Sequence, residues 1–168
     1  YVNKLLTDAK YDLAHKDIDG NEVIHLICKY GDNEMLKSYL SNPMTKDIIN
    51  NTNNNGNTAL HLISWRSHLK KYNEMCITLV NSGLCNYGVI NNKGGTILHH
   101  CYDYTIVSYI HEHYEKIDDI IDHRSLSNET PLMTLVKYDF TGDDDEDEWD
   151  DINERCDDET DDTVIRQF

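Results

Sequence analysis

The sequence predicts an all-α solenoid of stacked helix-turn-helix units, with short β-hairpin fingers between units and a disordered acidic segment attached. Three observations predict it. A six-residue phrase recurs: Gly20-Asn21-Glu22-Val23-Ile24-His25, Gly56-Asn57-Thr58-Ala59-Leu60-His61, Gly94-Gly95-Thr96-Ile97-Leu98-His99 and, more weakly, Asn128-Glu129-Thr130-Pro131-Leu132-Met133. The copies begin 36, 38 and 34 positions apart, and a period in the thirties marks a stacked repeat array. Apolar residues between the copies fall at helical spacing. Residues 143–162 hold fourteen Asp/Glu against one Arg, so this stretch carries −13 of the chain's −16 and leaves −3 for the rest.

Each position of the phrase has a physical use. Gly permits the positive φ of a tight turn. Thr caps the first turn of the following helix, and Pro or its substitute sits where a missing N–H is harmless. Leu enters the core, and His can bond backbone groups of a neighbouring turn.

Residues 1–19 read as half a repeat. Val2 to Leu6 is the end of an outer helix, and Asp12 to Asp17 is the finger leading into Gly20. Residue 1 then lies inside a repeat, so the chain is expected to be cut from something longer. In the second unit, about 20–55, Val23 to Tyr30 is the inner helix, ended by Gly31 in a left-handed cap. Asn33 to Leu40 is its outer helix, with Met35, Leu36, Tyr39 and Leu40 on one stripe and Asp32 or Asn33 as cap. The Asn-rich run 50–57 is the next finger.

The third unit, about 56–93, has core positions Leu60, Leu62 and Ile63. Its link, Trp65 to Asn73, is unusually long and carries Arg66, His68, Lys70 and Lys71, the one locally basic patch. Its outer helix is Glu74 to Asn81. The fourth unit, about 94–127, is shortened: His99 to Ile106 leaves room for scarcely two turns of inner helix before an outer helix from Ile106 to Tyr114. Ile117, Ile120 and Ile121 mark a further helical turn. The last unit begins with residues 128–138, with Met133 to Tyr138 as inner helix. Residues 139–162 are an acidic insertion or tail, disordered because like charges repel and little can be buried. Residues 163–168 start the last outer helix if the run is an insertion.

No catalytic residue, metal or cofactor is predicted. His25, His61 and His99 recur with the repeat, which marks a structural device. His99, His100, Cys101, His111 and His113 are dense, but zinc needs about four converging ligands, and residues two apart on a helix do not share a face. Asp143, Asp145, Asp147, Asp151 and Glu154 fit a calcium-loop template, but Glu148 stands where its sharp turn demands Gly. No phosphate loop, HExxH or GxSxG pattern is present. Clustered Lys and Arg for nucleic acid are missing, and no apolar stretch approaches the roughly 20 residues of a membrane helix. Nucleic acid, membrane and small-molecule partners are therefore not expected. The start does not read as a signal peptide. Five cysteines without a CxxC pair read as reduced thiols, which places the chain in the cytoplasm or nucleus.

The phrase resembles the Gly-x-Thr-Pro-Leu-His signature of ankyrin repeats, and the resemblance covers nearly all of residues 1–138. It implies a non-enzymatic module that binds another protein along a concave face of finger tips and inner helices. The candidate contacts on that face are Asp19, Asn21, Asn55, Asn57, Trp65, Arg66, Asn92, Lys93, Tyr102 and Tyr104. Tyr30, Trp65, Tyr102, Tyr104 and Trp149 lie near links or helix ends, and Tyr and Trp are favoured interface anchors. The sequence departs from the family pattern. Ile27, Ile63, Cys101 and Leu135 stand where a small residue is expected, Glu22 replaces Thr, and Met133 replaces His. Residues 92–100, Asn-Lys-Gly-Gly-Thr-Ile-Leu-His-His, resemble poxvirus ankyrin proteins, which implies a host protein as partner and the host cytoplasm as location. Two alternatives stand beside this: a truncated frame without independent activity, and an acidic segment that binds a basic partner.

Overall fold

The structure is a computed structural model and describes residues 2–8 and 10–141. Helix α1 (Val2–Leu6) opens the half repeat. Helices α2 (Val23–Tyr30) and α3 (Asn33–Leu40) form the second unit, followed by the single turn α4 (Thr45–Ile48). Helices α5 (Ala59–Ser64) and α6 (Lys70–Asn81) form the third. In the fourth unit one 3-10 turn, Ile97–His99, precedes α7 (Tyr104–His113) and the single turn α8 (Asp118–Ile121). Helix α9 (Pro131–Thr141) opens the last unit. The acidic run 143–162 and the expected helix start at 163–168 lie outside the described residues.

The helices stack in two layers. α2 packs on α5 and α5 on the 3-10 turn, while α1, α3, α6 and α7 pack in sequence beside them. The core lies between the layers, where Ile24, Leu36, Tyr39, Ile63, Met75, Leu79, Ile97, Ile106 and Ile110 are fully buried. Each such side chain contributes on the order of 1.5–3 kcal/mol relative to exposure. Of the three expected core residues in α5, Leu60 and Ile63 are buried and Leu62 is half-buried. Ile27, Ile63 and Cys101, which stand where a small residue was expected, are all buried core.

The fingers are hairpin turns, and no strand forms among the described residues. Each turn is closed by a backbone bond from Asp17 N–H to Asn21 O (3.0 Å), Asn53 to Asn57 (3.0 Å), Asn91 to Gly95 (2.9 Å) and Ser125 to Glu129 (2.9 Å), and by a second inside it from the N–H of Gly20, Gly56, Gly94 or Asn128 back to the carbonyl of that first residue. Gly56 shows why the turn needs glycine. Its φ is +72°, and a Cβ there would sit 2.8 Å from the Asn92 backbone nitrogen. In the fourth copy Asn128 takes the same left-handed conformation (φ 61°), which Asn tolerates better than most residues. Adjacent tips are joined by backbone bonds from Asn54 N to Asp19 O (3.0 Å), Asn92 N to Asn55 O (3.0 Å) and Leu126 N to Lys93 O (2.9 Å).

Three local expectations are corrected. Gly31 is not a left-handed cap: its φ of −78° and ψ of −162° are extended. Glycine is needed there because a Cβ would lie 2.7 Å from the Ile27 carbonyl oxygen. The second half of the third unit's long link is helix, since α6 starts at Lys70 rather than Glu74 and runs twelve residues. The extra residues contain no Gly or Pro, and Asn73 N–H closes the added turn on Leu69 O (2.9 Å). In the fourth unit the inner helix shrinks to the 3-10 turn, and α7 begins at Tyr104 rather than Ile106. Asp103 sets that start by accepting from the N–H groups of Thr105 (2.8 Å) and Ile106 (3.2 Å).

Candidate functional site

Two of the three recurring histidines bridge successive units. Nδ1 of His25 accepts from the Glu22 N–H (3.1 Å), so the ring proton sits on Nε2, which donates to Asn57 O in the next finger (3.1 Å). His99 repeats this between the Thr96 N–H and Glu129 O, at 3.1 Å on each side. The histidine thus takes the place that Glu or Gln holds in a capping box and adds a bridge to the neighbour. His61 accepts from Thr58 N–H (3.3 Å), but its buried Nε2 faces the Gly95 carbonyl without a bond of good geometry. Burial lowers the pKa of all three, to about 4 for His61, and lowers that of His100 to about 3. They are neutral linkers at pH 7.

The fingers are pinned by a second repeated device, which the sequence reading missed. Asp17 Oδ1 accepts from the N–H groups of Asp19 (3.0 Å) and Asn21 (2.7 Å). Asn53 Oδ1 does the same for Asn55 and Asn57 (3.0 Å each), and Asn91 Oδ1 for Lys93 (3.0 Å) and Gly95 (2.8 Å). Side-chain rungs then cross between fingers: Asn53 Nδ2 donates to Asn21 Oδ1 (3.0 Å) and Asn91 Nδ2 to Asn57 Oδ1 (2.9 Å). The signal was available, because Asp17, Asn53 and Asn91 each stand three residues before the phrase's Gly.

These devices sort the candidate contacts. Asn57 is buried and Asn21 half-buried, and both side chains are spent on rungs. Asp19, Asn55, Asn92 and Lys93 stand exposed at the finger tips, where Asn92 Nδ2 also holds Asn54 O (2.8 Å). Trp65 is half-buried with its ring edge-on to His100, centroids 4.5 Å apart. Arg66, also half-buried, donates from Nη1 to Lys29 O (3.3 Å) and approaches the Tyr72 hydroxyl (3.4 Å). Tyr102 is half-buried beside the cap of α7. Tyr104 is 84 % exposed and Tyr30 69 %. Two exposed residues were overlooked: Ile18 and Leu126 occupy the tip position that Asn54 and Asn92 hold in the middle fingers.

The described groups offer little to covalent chemistry. Burial pushes the thiols of Cys85 and Cys101 up to about 12, and those of Cys28 and Cys76 higher still. All four are free. Glu22 is a buried acid at the position where the other three copies of the phrase carry Thr. Desolvation raises its pKa, against the opposing pull of Asn51 Nδ2 (2.9 Å) and of Lys16 at 4.0 Å. No group of three or more His, Cys, Asp or Glu that could hold a metal ion occurs among the described residues.

No protein-family model matches the sequence, and no curated protein matches it. Among solved structures, the ankyrin repeat domain of Bcl-3 is similar at 17 % identity and a TM-score of 0.37, over 79 % of this chain and 70 % of that one.

Proposed function

We propose that the chain is a non-enzymatic protein-binding module whose contact face runs along the finger tips and the links from inner to outer helix. The carrying observation is a third register, distinct from the two inward ones. Tyr30, Arg66 and Tyr104 each fall eight residues after the helix-capping residues Glu22, Thr58 and Thr96. Tyr30 and Tyr104 are strongly exposed, whereas the His and Asn registers are consumed within the stack. Tyr and Arg are the residue types that dominate interface energetics.

The finer reading is that the chain is part of a poxvirus-type ankyrin protein and binds a host protein in the cytoplasm. Residues 92–100 and the reduced thiols support it. The test is affinity capture from host-cell extract with the wild type and with Tyr30→Ala/Tyr104→Ala. Truncating both rings is expected to lose the captured partner while thermal unfolding is unchanged. Retention of the partner by the double variant overturns the proposed face.

A further inference from the structure

We propose that Lys29, Tyr30, Lys70 and Lys71 form a docking surface for a carboxylate-rich peptide segment of a partner protein; this rests on the reading of the chain as a protein-binding module. The surface spans two units and is held as one piece. Arg66 Nη1 and the Tyr72 hydroxyl converge on the Lys29 carbonyl, each at 3.3 Å, and tie the end of α2 to the start of α6. Around this clasp Lys29 Nζ lies 5.2 Å from the Tyr30 ring centre, Lys71 Nζ 5.2 Å from that of Tyr72, and the Arg66 guanidinium carbon 5.3 Å from the same ring. Lys70, Lys71 and His68 are exposed, Lys29 is half-buried, and Tyr30 is 69 % exposed.

Stability does not explain the lysines of α6. They occupy the first turn of a twelve-residue helix that has no acid there and no side-chain cap from Leu69. A helix N-terminus carries partial positive charge, so cations there are unfavourable and acids would be favoured. Two lysines where the helix disfavours them point to a use outside it.

Charge selects the partner. The chain as a whole is acidic, at −16, but fields at physiological salt fall off within about 8 Å, so a docking segment meets the local cations. Acids lie among these cations: Asp32 caps α3 through the Met35 N–H (2.8 Å), and Asp103 caps α7 while accepting from Asn73 Nδ2 (2.6 Å). Glu74 follows Lys70 by one turn of α6. These carboxylates interrupt the patch. A nucleic acid, with a phosphate charge every few ångströms, needs a continuous basic track, whereas separate peptide carboxylates fit between them. The tyrosine rings add amphipathic contact area for the peptide's stems.

The test uses the full chain and a fluorescein-labelled peptide of Glu-Glu-Ala repeats, beside a labelled oligo-dT of equal length. Anisotropy would be read at about 50 and about 300 mM salt. The peptide is expected to bind at low salt and to weaken at high salt. Lys70→Glu/Lys71→Glu is expected to weaken it about tenfold or more, without lowering the melting temperature, because acids suit that helix end. Lys29→Glu should weaken it too, and Lys46→Glu on the distant turn α4 should not. Failure of the wild type to bind the peptide, affinity unmoved by the α6 reversal, or tighter binding of oligo-dT would each overturn the proposal. Loss of the peptide arm while capture still depends on Tyr30 and Tyr104 would sink this docking surface and leave the module reading standing.

Discussion

The second and fourth units begin with the same phrase and end as different objects. Val23–Tyr30 is a two-turn helix, whereas its counterpart is the single 3-10 turn Ile97–His99. Both keep the histidine bridge, with Nδ1 and Nε2 contacts at 3.1 Å in each. What differs is the arrival of the next cap. Asp32 follows Glu22 by ten residues, but Asp103 follows Thr96 by only seven. An outer-helix cap that comes early truncates the inner helix. In these two units the phrase sets the finger, the first turn and the bridge, and the distance to the next cap sets the length of the inner helix.

Acid is the strongest way to break the comparison. The junction of the third and fourth units buries His61 and His99 and half-buries His100, whereas the second unit contributes His25 alone. Their folded pKa values are depressed, so the unfolded chain takes up protons first as pH falls below about 6.5. Stability is full above that value and is lost on acidification. His61 and His100, held neutral to about 4 and about 3, should together cost roughly 4 kcal/mol between about pH 6.5 and 4.5. Urea titrations across this range would measure the loss, and amide exchange should show protection failing at Ile97–His99 before Val23–Tyr30. Simultaneous loss in both units would contradict the assignment.

Core truncation comes next. Ile24→Ala, in a fully ordered helix, should cost about 3–4 kcal/mol, and Leu98→Ala, in the abbreviated unit, about 2 kcal/mol because its surroundings can collapse. Equal losses in chemical denaturation would show that the short unit is packed as tightly as the long one. The caps should differ in the opposite direction. Asp103→Ala removes the acceptor for two backbone N–H groups and for Asn73, against one N–H for Asp32. A cost of about 1–2 kcal/mol is expected at Asp103 and about 1 kcal/mol at Asp32, read from melting temperatures. The smallest effect should be a gain. Glu22→Gln keeps an acceptor for Asn51 and removes a buried charge whose second oxygen has no partner, so stability at pH 7 should rise by up to about 1 kcal/mol. Because the Glu22 pKa is raised, that gain should shrink as pH falls toward the ordinary carboxylate range.

The fold was legible because its signals repeat. Val23 to Tyr30 and Asn33 to Leu40 stand where the periodicity put them, with Asp32 as cap. The misreadings fall where one residue admits two physical roles. Gly31 looked like a left-handed cap and serves a close approach to Ile27. Lys70 to Asn73 looked like a loop because the phrase offers no signal for an extra helical turn. The candidate face was harder to read, since composition does not separate a rung from a contact: Asn57 and Asn55 are the same residue type two positions apart, one buried and one exposed. Only register against the neighbouring finger tells them apart.

The tip-to-tip bonds have a mechanical consequence. Asn54 to Asp19, Asn92 to Asn55 and Leu126 to Lys93 join consecutive units one after another along the stack. Tension applied along the array loads these junctions in series, so each bears the whole force and they part singly rather than together. The junction between the fingers of the third and fourth units keeps its tip bond, Asn92 to Asn55, but lacks the histidine bond of the other two. There the Asn91–Asn57 rung and the Asn92 Nδ2 bond to Asn54 O share the load instead.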